Sequence, residues 1–175
     1  MLKKYAATVE SLGFTPQCLL EPSSTVVYRA TERSSEKDVV VKLPSSISDP
    51  SVITRENEFL EAMGPTEGLV PKHAYFPRGL FEEHPVLVRP YVAGKTWKKE
   101  ERWKLDETHR PRLERVVNKA HKLDLGDIDI RIQNIILRND GVADFFDLMV
   151  VGGLLTNVVG KKEYDWRCFN KLFQD

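Results

Sequence analysis

The sequence predicts an α+β fold, built from antiparallel strands and amphipathic helices. Apolar residues recur at helical spacing over three stretches, residues 1–12, 51–63 and 110–123. Residues 26–28 and 39–43 are rich in Val and favour strands. An Asn-Asp-Gly turn at residues 139–141 separates two short apolar runs, as in a β-hairpin. We therefore expect a short leading helix and then an antiparallel sheet with one helix in the first half of the chain, followed by a smaller, mainly helical region.

Length and composition limit the classes of protein to which the chain can belong. At 175 residues and 41% apolar content, it fits a single globular domain. The 26 basic and 26 acidic residues balance, so net charge gives no reason to expect nucleic-acid or membrane binding. Two cysteines are too few for a disulfide framework, and no apolar run approaches the roughly 20 residues of a membrane span. Because the N-terminus lacks an apolar signal region, we expect a cytoplasmic protein without a classical signal peptide.

The first half of the chain is expected to contain most of the sheet. The expected elements are, in order, a helix over residues 1–12, strands over 26–28 and 39–43, a helix over 51–63, and strands over 70–76 and 86–92. Gly13 is placed to cap the first helix, and Gly64-Pro65 to end the second. The polar stretch 21–24 reads as a turn before the first Val-rich strand.

The second half is expected to be mainly helical around one hairpin. The helix over residues 110–123 should bury a single apolar stripe, formed by Leu113, Val116, Val117, Ala120 and Leu123. Residues 164–173 read as a final helix. His121, near the end of the first of these helices, is expected to pack or cap rather than to act as a base.

Three polar residues mark the hairpin as a candidate site. In a two-stranded hairpin, the start of the first strand and the end of the second lie at the same end. Asn134 and Asp147 occupy those positions, and Asp129 precedes them on a loop, so the three side chains can converge. Carboxylate and amide oxygens suit a Mg²⁺–phosphate site, although a surface hairpin with ordinary turn carboxylates has the same composition.

The spacing of these residues resembles the catalytic core of the protein-kinase-like superfamily. Asp129 and Asn134 match its Asp-x-x-x-x-Asn spacing, and Asp147 lies where its second metal-binding Asp is expected. The resemblance implies a catalytic-loop base at Asp129, a basic residue near the transferring phosphate at Arg131, and metal ligands at Asn134 and Asp147. The chain departs from the family in reading Asp-Ile-Asp for His-Arg-Asp and Asp-Leu-Met for Asp-Phe-Gly.

Lys42 is out of pattern in an apolar strand. An edge-strand lysine that points to solvent is the ordinary interpretation. The resemblance implies instead the strand lysine that contacts the α- and β-phosphates of ATP, held by Glu56 of the following helix. Glu58 is the alternative partner, although it lies on another side of that helix.

The resemblance also implies the remaining nucleotide contacts. Ser23, Ser24 and Thr25 stand in place of the family's Gly-rich loop, without any glycine. Adenine is expected to bond the backbone of Pro90 and Val92, within a hinge at about residues 90–94. Arg89, at the position that guards the deep pocket, is unusual, and it could form an ion pair instead.

The implied architecture is a bilobal kinase-like domain over residues 1–175. Its first lobe would cover about residues 1–92, and a reduced second lobe about 95–175, because the helices that dock peptides in larger kinases are missing. The C-terminal part resembles small atypical kinases and the truncated effectors that some bacteria deliver into host cells, which is the alternative localisation. In this class Asp165 would steady the catalytic loop; a carboxylate near a helix N-terminus is the other interpretation.

The implied function is that of an ATP- and Mg²⁺-dependent kinase, with Mn²⁺ as a substitute metal and Ser or Thr of a protein as the acceptor. Two alternatives stay open: a weakly active or inactive kinase-like module that binds a partner protein, and a small-molecule kinase. A protein partner or self-association is expected, since a short second lobe leaves apolar surface uncovered.

Overall fold

The computed structural model describes residues 2–20, 25–45, 49–77, 84–96, 104–151 and 158–174. Within these residues the fold is α+β, with four α-helices and two antiparallel sheets. The elements are α1 (Leu2–Ser11), β1 (Phe14–Leu20), β2 (Thr25–Glu32), β3 (Asp38–Pro44), α2 (Ser51–Met63), β4 (Ala74–Phe76), β5 (Val86–Pro90), β6 (Gly94–Thr96), α3 (Arg110–Lys122), β7 (Ile135–Arg138), β8 (Ala143–Phe145) and α4 (Val158–Lys171). The chain forms two compact units: Met1–Glu58 with Lys72–Tyr91, and Phe59–Pro71 with Val92–Asp175.

Unit 1 contains a five-stranded sheet in the order β1-β2-β3-β5-β4. Successive strand residues point to opposite faces, so each strand contributes alternate side chains to one core. Val39, Val41 and Leu43 of β3 lie in this core together with Tyr5 and Val9 of α1. One face of the sheet is therefore apolar and belongs to the same buried cluster as α1.

The opposite face of the same sheet carries the charged residues. Lys42 lies directly opposite Leu87 of β5, and Arg89 lies directly opposite Val40 of β3. Because opposite residues share a face and the side-chain period is two, Lys42 and Arg89 project from the same side, away from the apolar core. The alternation of β3 explains why a lysine stands inside an otherwise apolar run.

Unit 2 contains a three-stranded sheet in the order β6-β7-β8, together with α3 and α4. A segment from early in the chain joins this sheet: the N–H of Val70 donates to the carbonyl of Phe145 at 2.8 Å. The N–H of Phe145 in turn donates to the carbonyl of Gly68, also at 2.8 Å. Gly68 has φ +90°, a conformation that L side chains rarely adopt.

The helices predicted from periodicity are present, with two corrections. Gly13 (φ +90°) and Gly64 (φ +54°) follow α1 and α2 in the left-handed conformation expected of C-terminal caps. Leu123 was wrongly assigned to the core: α3 ends at Lys122, and Leu123 is 45% exposed. The last helix begins at Val158, six residues before the predicted start.

Two strand predictions were also wrong in extent. Residues 70–76 form a strand only over Ala74–Phe76, because Val70 bonds to the second sheet instead. The predicted strand over 86–92 ends at Pro90, and a separate strand, Gly94–Thr96, pairs with β7. None of the helices in the described stretches of the chain has both the length and the apolar character required to cross a membrane.

Candidate functional site

A buried ion cluster lies on the charged face of the first sheet. The Lys42 ammonium and the Arg89 guanidinium both pair with the carboxylate of Glu56. Lys42 Nζ contacts Oε2, and Arg89 Nη1 lies 2.9 Å from Oε1. Lys42 is 6% exposed, Arg89 3% and Glu56 0%. The predicted pairing of Lys42 with Glu56 is confirmed, and so is the expectation that Arg89 forms an ion pair.

Helix α2 brings Glu56 to these two strand residues. The helix begins at Ser51, whose N–H donates to the Asp49 carboxylate at 2.9 Å, so one of the otherwise unpaired first-turn donors is satisfied. The hydrogen bond from the Ser51 hydroxyl, together with this backbone one, holds the pKa of Asp49 below its usual value. Glu58, the alternative partner, is exposed. Because a helix has 3.6 residues per turn, Glu56 and Glu58 lie on different sides of α2, as predicted.

The hairpin in unit 2 has the predicted turn. The N–H of Arg138 donates a hydrogen bond to the carbonyl of Val142 at 2.8 Å, and Gly141 between them has φ +82°. The strands are Ile135–Arg138 and Ala143–Phe145, so Asn134 directly precedes the first. The carbonyl of Asn134 accepts the N–H of Phe146 at 2.9 Å. Asn134 and Asp147, which follows Phe146, therefore lie at the same end of the hairpin.

Asp129 is hydrogen-bonded to the residue before the first strand of the hairpin and to a residue after the second strand. The Asn134 side-chain amide nitrogen donates to the Asp129 carbonyl at 2.7 Å, and the N–H of Asp129 donates to the carbonyl of Met149 at 3.1 Å. The main chain at Asp129, Asn134 and Asp147 therefore comes together, and the convergence of the three side chains stays a prediction. Arg131 Nε lies 2.5 Å from Asp129 Oδ1, with the Arg131 side chain 65% exposed.

Asp165 secures the loop that carries Asp129. It lies inside α4 and is 0% exposed, so the interpretation as a carboxylate near a helix N-terminus is wrong. Its Oδ1 accepts the N–H of Ile128 at 2.9 Å, and its Oδ2 lies 2.9 Å from Nε2 of His121. The side chain of His121 is largely buried, as expected for a packing residue.

A second contact between α4 and this loop was missed from the sequence. Lys161 Nζ lies 3.2 Å from Asp127 Oδ2, and the carbonyl of Asp127 accepts the N–H of Val151 at 2.8 Å. Asp127 has φ +62°, a conformation that Asp tolerates better than most residues. In the sequence, the identity of residue 127 as Asp is the one indication of this left-handed conformation, and it is a weak one.

The other predicted nucleotide contacts are less informative. Ser23 and Ser24 lie outside the described residues. Thr25 begins β2 opposite Pro44 and is 4% exposed. Pro90 ends β5, Val92 lies two residues later, and both are half-buried.

The amide of Asn134 and the carboxylate of Asp147 are of the ligand types that Mg²⁺ takes. Because the amide nitrogen of Asn134 bonds to the Asp129 carbonyl, the amide oxygen is the atom directed elsewhere. An amide oxygen with a carboxylate from Asp147 would supply two oxygen ligands, and Mg²⁺ typically takes its remaining ligands from water and phosphate.

Comparison of the chain with protein-family models finds no match, and comparison with curated proteins finds none either. The resemblance to kinases therefore stays a prediction from the sequence.

Proposed function

We propose that the protein is an ATP-dependent phosphotransferase that moves the γ-phosphate to a Ser or Thr hydroxyl of a protein, with Mg²⁺ or Mn²⁺. The observation that carries this proposal is the buried pairing of Lys42 with Glu56. A strand and a helix supply the two residues independently, and both side chains are almost completely removed from water.

Stability alone is a poor reason to keep such a pair. Desolvation of two charges costs several kcal/mol per ion, and replacement of a buried pair by apolar residues is often neutral or stabilising. A role in binding an anion explains the cost better. An ammonium has three N–H donors, and Glu56 would fix the position from which the Lys42 ammonium binds phosphate oxygens. Lys42 would position the α- and β-phosphates in this way.

The residues of the hairpin end would supply the rest of the chemistry. Asn134 and Asp147 would hold the metal, which neutralises charge on the phosphates when bound. The Asp129 carboxylate would accept the proton of the acceptor hydroxyl, and the exposed Arg131 would sit beside the transferring phosphoryl group. Asp165 supports the proposal because it fixes the main chain next to Asp129, and fixed geometry is what phosphoryl transfer requires.

Thermal unfolding with and without MgATP tests the nucleotide site. A ligand at about 100 times its Kd stabilises by roughly 2.7 kcal/mol, and a Tm rise of several degrees is the usual result for a domain of this size. We expect this rise in the wild type and its loss in Asp147→Asn. The matched control is Asp140→Asn, a carboxylate in the turn at the other end of the same hairpin, which should keep the full rise.

Phosphate transfer to a generic protein acceptor tests the reaction itself. We expect Asp129→Asn to bind MgATP like the wild type but to lose transfer, because the base acts only on the acceptor. Since Ile128 replaces the arginine that reads activation-loop phosphate, phosphatase treatment should leave wild-type activity intact. A wild type that binds MgATP and transfers phosphate to no protein would reject this acceptor class.

A partner-binding module is the second candidate. Three large apolar side chains in the described part of unit 2 are notably exposed, Leu123 at 45%, Val151 at 43% and Tyr164 at 51%. Exposed apolar side chains mark a protein-binding site where they form one continuous patch, whereas single ones are ordinary. If millimolar MgATP fails to raise the Tm of the wild type, this second function becomes the better account.

A further inference from the structure

We infer that Arg89 is a positioning residue that holds Glu56 against Lys42 before any nucleotide binds. This inference deepens the proposed function and rests on it for the role of Lys42. Arg89 is not one of the residues that the kinase resemblance assigns to the reaction, and its place in the cluster follows from the contacts of Glu56.

Glu56 bridges the two cations with separate oxygens. Lys42 takes Oε2 and Arg89 takes Oε1 at 2.9 Å, so both ends of the carboxylate are bonded. A carboxylate bonded at one oxygen can rotate about its last side-chain torsion, which is soft. A carboxylate bonded at both oxygens by residues of two different strands cannot rotate without breaking a buried, charge-assisted hydrogen bond.

The sheet fixes the spacing of the two cations. Residues 39–42 of β3 and 87–90 of β5 are paired in continuous register, so the backbones below Lys42 and Arg89 cannot slide independently. Arg89 is 3% exposed, and water therefore competes little for its bond to Glu56. Lys42 is consequently preset in one orientation by rigid elements rather than by a ligand.

Charge gives a second consequence of the bridge. Arg89 places a second positive charge close to Lys42, with the Glu56 carboxylate bonded to both cations. An added positive charge in a low-dielectric interior favours a nearby anion strongly. Arg89 should therefore increase affinity for the phosphates of a nucleotide and have no effect on affinity for its nucleoside.

The experiment compares four variants of the full chain. Arg89→Met removes the charge and the donors, Arg89→Lys keeps the charge, and Arg89→Gln keeps a donor without the charge. Arg29→Met is the matched control: Arg29 lies opposite the same Val40 from the β2 side, but it pairs with Asp38 and not with Glu56. Circular dichroism and Tm establish that each variant is folded.

The first measurement is NMR of the lysine side-chain ammonium groups in the nucleotide-free protein. A buried, ion-paired ammonium exchanges slowly with water and gives a resolved signal, which Lys42→Met identifies by its absence. We expect this signal in the wild type, Arg29→Met and Arg89→Lys, and its loss in Arg89→Met. If Arg89→Met does not fold, a weakened Lys42 signal in folded Arg89→Gln would support the inference.

The second measurement is the affinity for MgATP and for adenosine. We expect MgATP binding to weaken about tenfold in Arg89→Met, as for loss of a hydrogen bond to a charged group, with adenosine binding unchanged. A purely structural role would weaken both ligands alike or neither. Recovery in Arg89→Lys would support the positioning role.

The outcomes separate this inference from the proposed function. Folded Arg89→Met and Arg89→Gln that keep both the Lys42 signal and wild-type MgATP affinity would overturn the inference, while wild-type binding would leave the proposed function standing. A wild type that binds no MgATP would overturn the proposed function. Loss of the Lys42 signal in Arg89→Met would, even then, support Arg89 as the residue that holds Glu56 in place.

Discussion

The carboxylate of Asp165 bonds to the main chain at Ile128, one residue before Asp129, although 37 positions separate the two residues in the sequence. A helix interior thereby fixes the backbone of the loop that carries the proposed base. Helices packed in a unit move little, so a side chain anchored on one is a more rigid support than a loop-to-loop contact. Several measurements follow from this and from the other contacts described above.

Asp165→Ala should loosen the loop around Asp129. The N–H of Ile128 would lose its acceptor inside the protein, and such a loss costs about 1–3 kcal/mol. Hydrogen exchange at the Ile128 amide should then become faster than in the wild type. The control is Glu163→Ala, an exposed residue of the same helix, which should leave that exchange rate unchanged. An Ile128 amide that stays equally protected in Asp165→Ala would show that the bond does not hold the loop.

Glu56→Gln should strongly destabilise unit 1. The substitution keeps the shape of the side chain but leaves two buried cations with a neutral amide, and loss of one partner from a buried ion pair costs about 3–5 kcal/mol. Urea unfolding of the wild type and the variant measures this difference. Glu58→Gln, two positions away and exposed, should change the free energy of unfolding by no more than about 0.5 kcal/mol. Equal effects of the two substitutions would contradict the buried cluster.

Gly68→Ala should cost more stability than Gly13→Ala. Both glycines have φ +90°, so either alanine is strained by roughly 1–2 kcal/mol. At Gly13 the new Cβ would meet nothing within 4 Å, whereas at Gly68 it would lie 2.6 Å from the carbonyl oxygen of Arg112. The comparison therefore separates backbone strain from a clash with α3. Free energies of unfolding that fall equally in both variants would show that the segment at Gly68 can move away from α3.

Acidification should remove a contribution from Asp38. The hydrogen bond from the Arg29 guanidinium holds the pKa of the Asp38 carboxyl below its usual value of 3.8 in the folded protein. A carboxyl with a depressed folded-state pKa stabilises the protein above the unfolded value, and the contribution is lost as the pH falls through the folded value. The Tm difference between wild type and Asp38→Asn should therefore shrink as the pH is lowered from neutral to about 2.

The Arg29→Met background provides the check on this pH dependence. Without the guanidinium, the cause of the shift is gone, and Asp38→Asn should then have a smaller effect at neutral pH. If the Tm difference between wild type and Asp38→Asn does not change with pH while Arg29 is present, the proposed titration of Asp38 is excluded.

Long helices were predicted well because many of their residues follow the same helical spacing. The thirteen-residue α2 matches its predicted bounds, α1 differs by one residue at each end, and α3 differs by one residue at its C-terminal end. Short strands carry no such signal. Gly94–Thr96 has only three residues, and it is a strand because β7 lies beside it, which no local pattern of this segment records.

The site follows the same rule at the level of single residues. The convergence of Asn134 with Asp147 could be predicted, because a local turn determines which ends of a hairpin meet. The bond of Asp165 to Ile128 and that of Arg89 to Glu56 join distant parts of the chain. Such contacts depend on tertiary packing, and a single sequence suggests them only through a resemblance or an out-of-pattern charge.

The backbone hydrogen bonds that join Phe145 to Val70 and to Gly68 have a consequence for biosynthesis. The stretch Phe59–Pro71 is synthesised after the first part of unit 1, Met1–Glu58, and before its second part. Its partner strand is complete only when Phe145 has been added. The second part of unit 1, Lys72–Tyr91, is therefore synthesised while this stretch still lacks its hydrogen-bond partners. Synthesis at roughly 5–20 residues per second makes that interval several seconds long. A nascent chain stalled before the hairpin would expose this stretch to chaperones and proteases, so translation speed over residues 72–145 should influence the yield of folded protein.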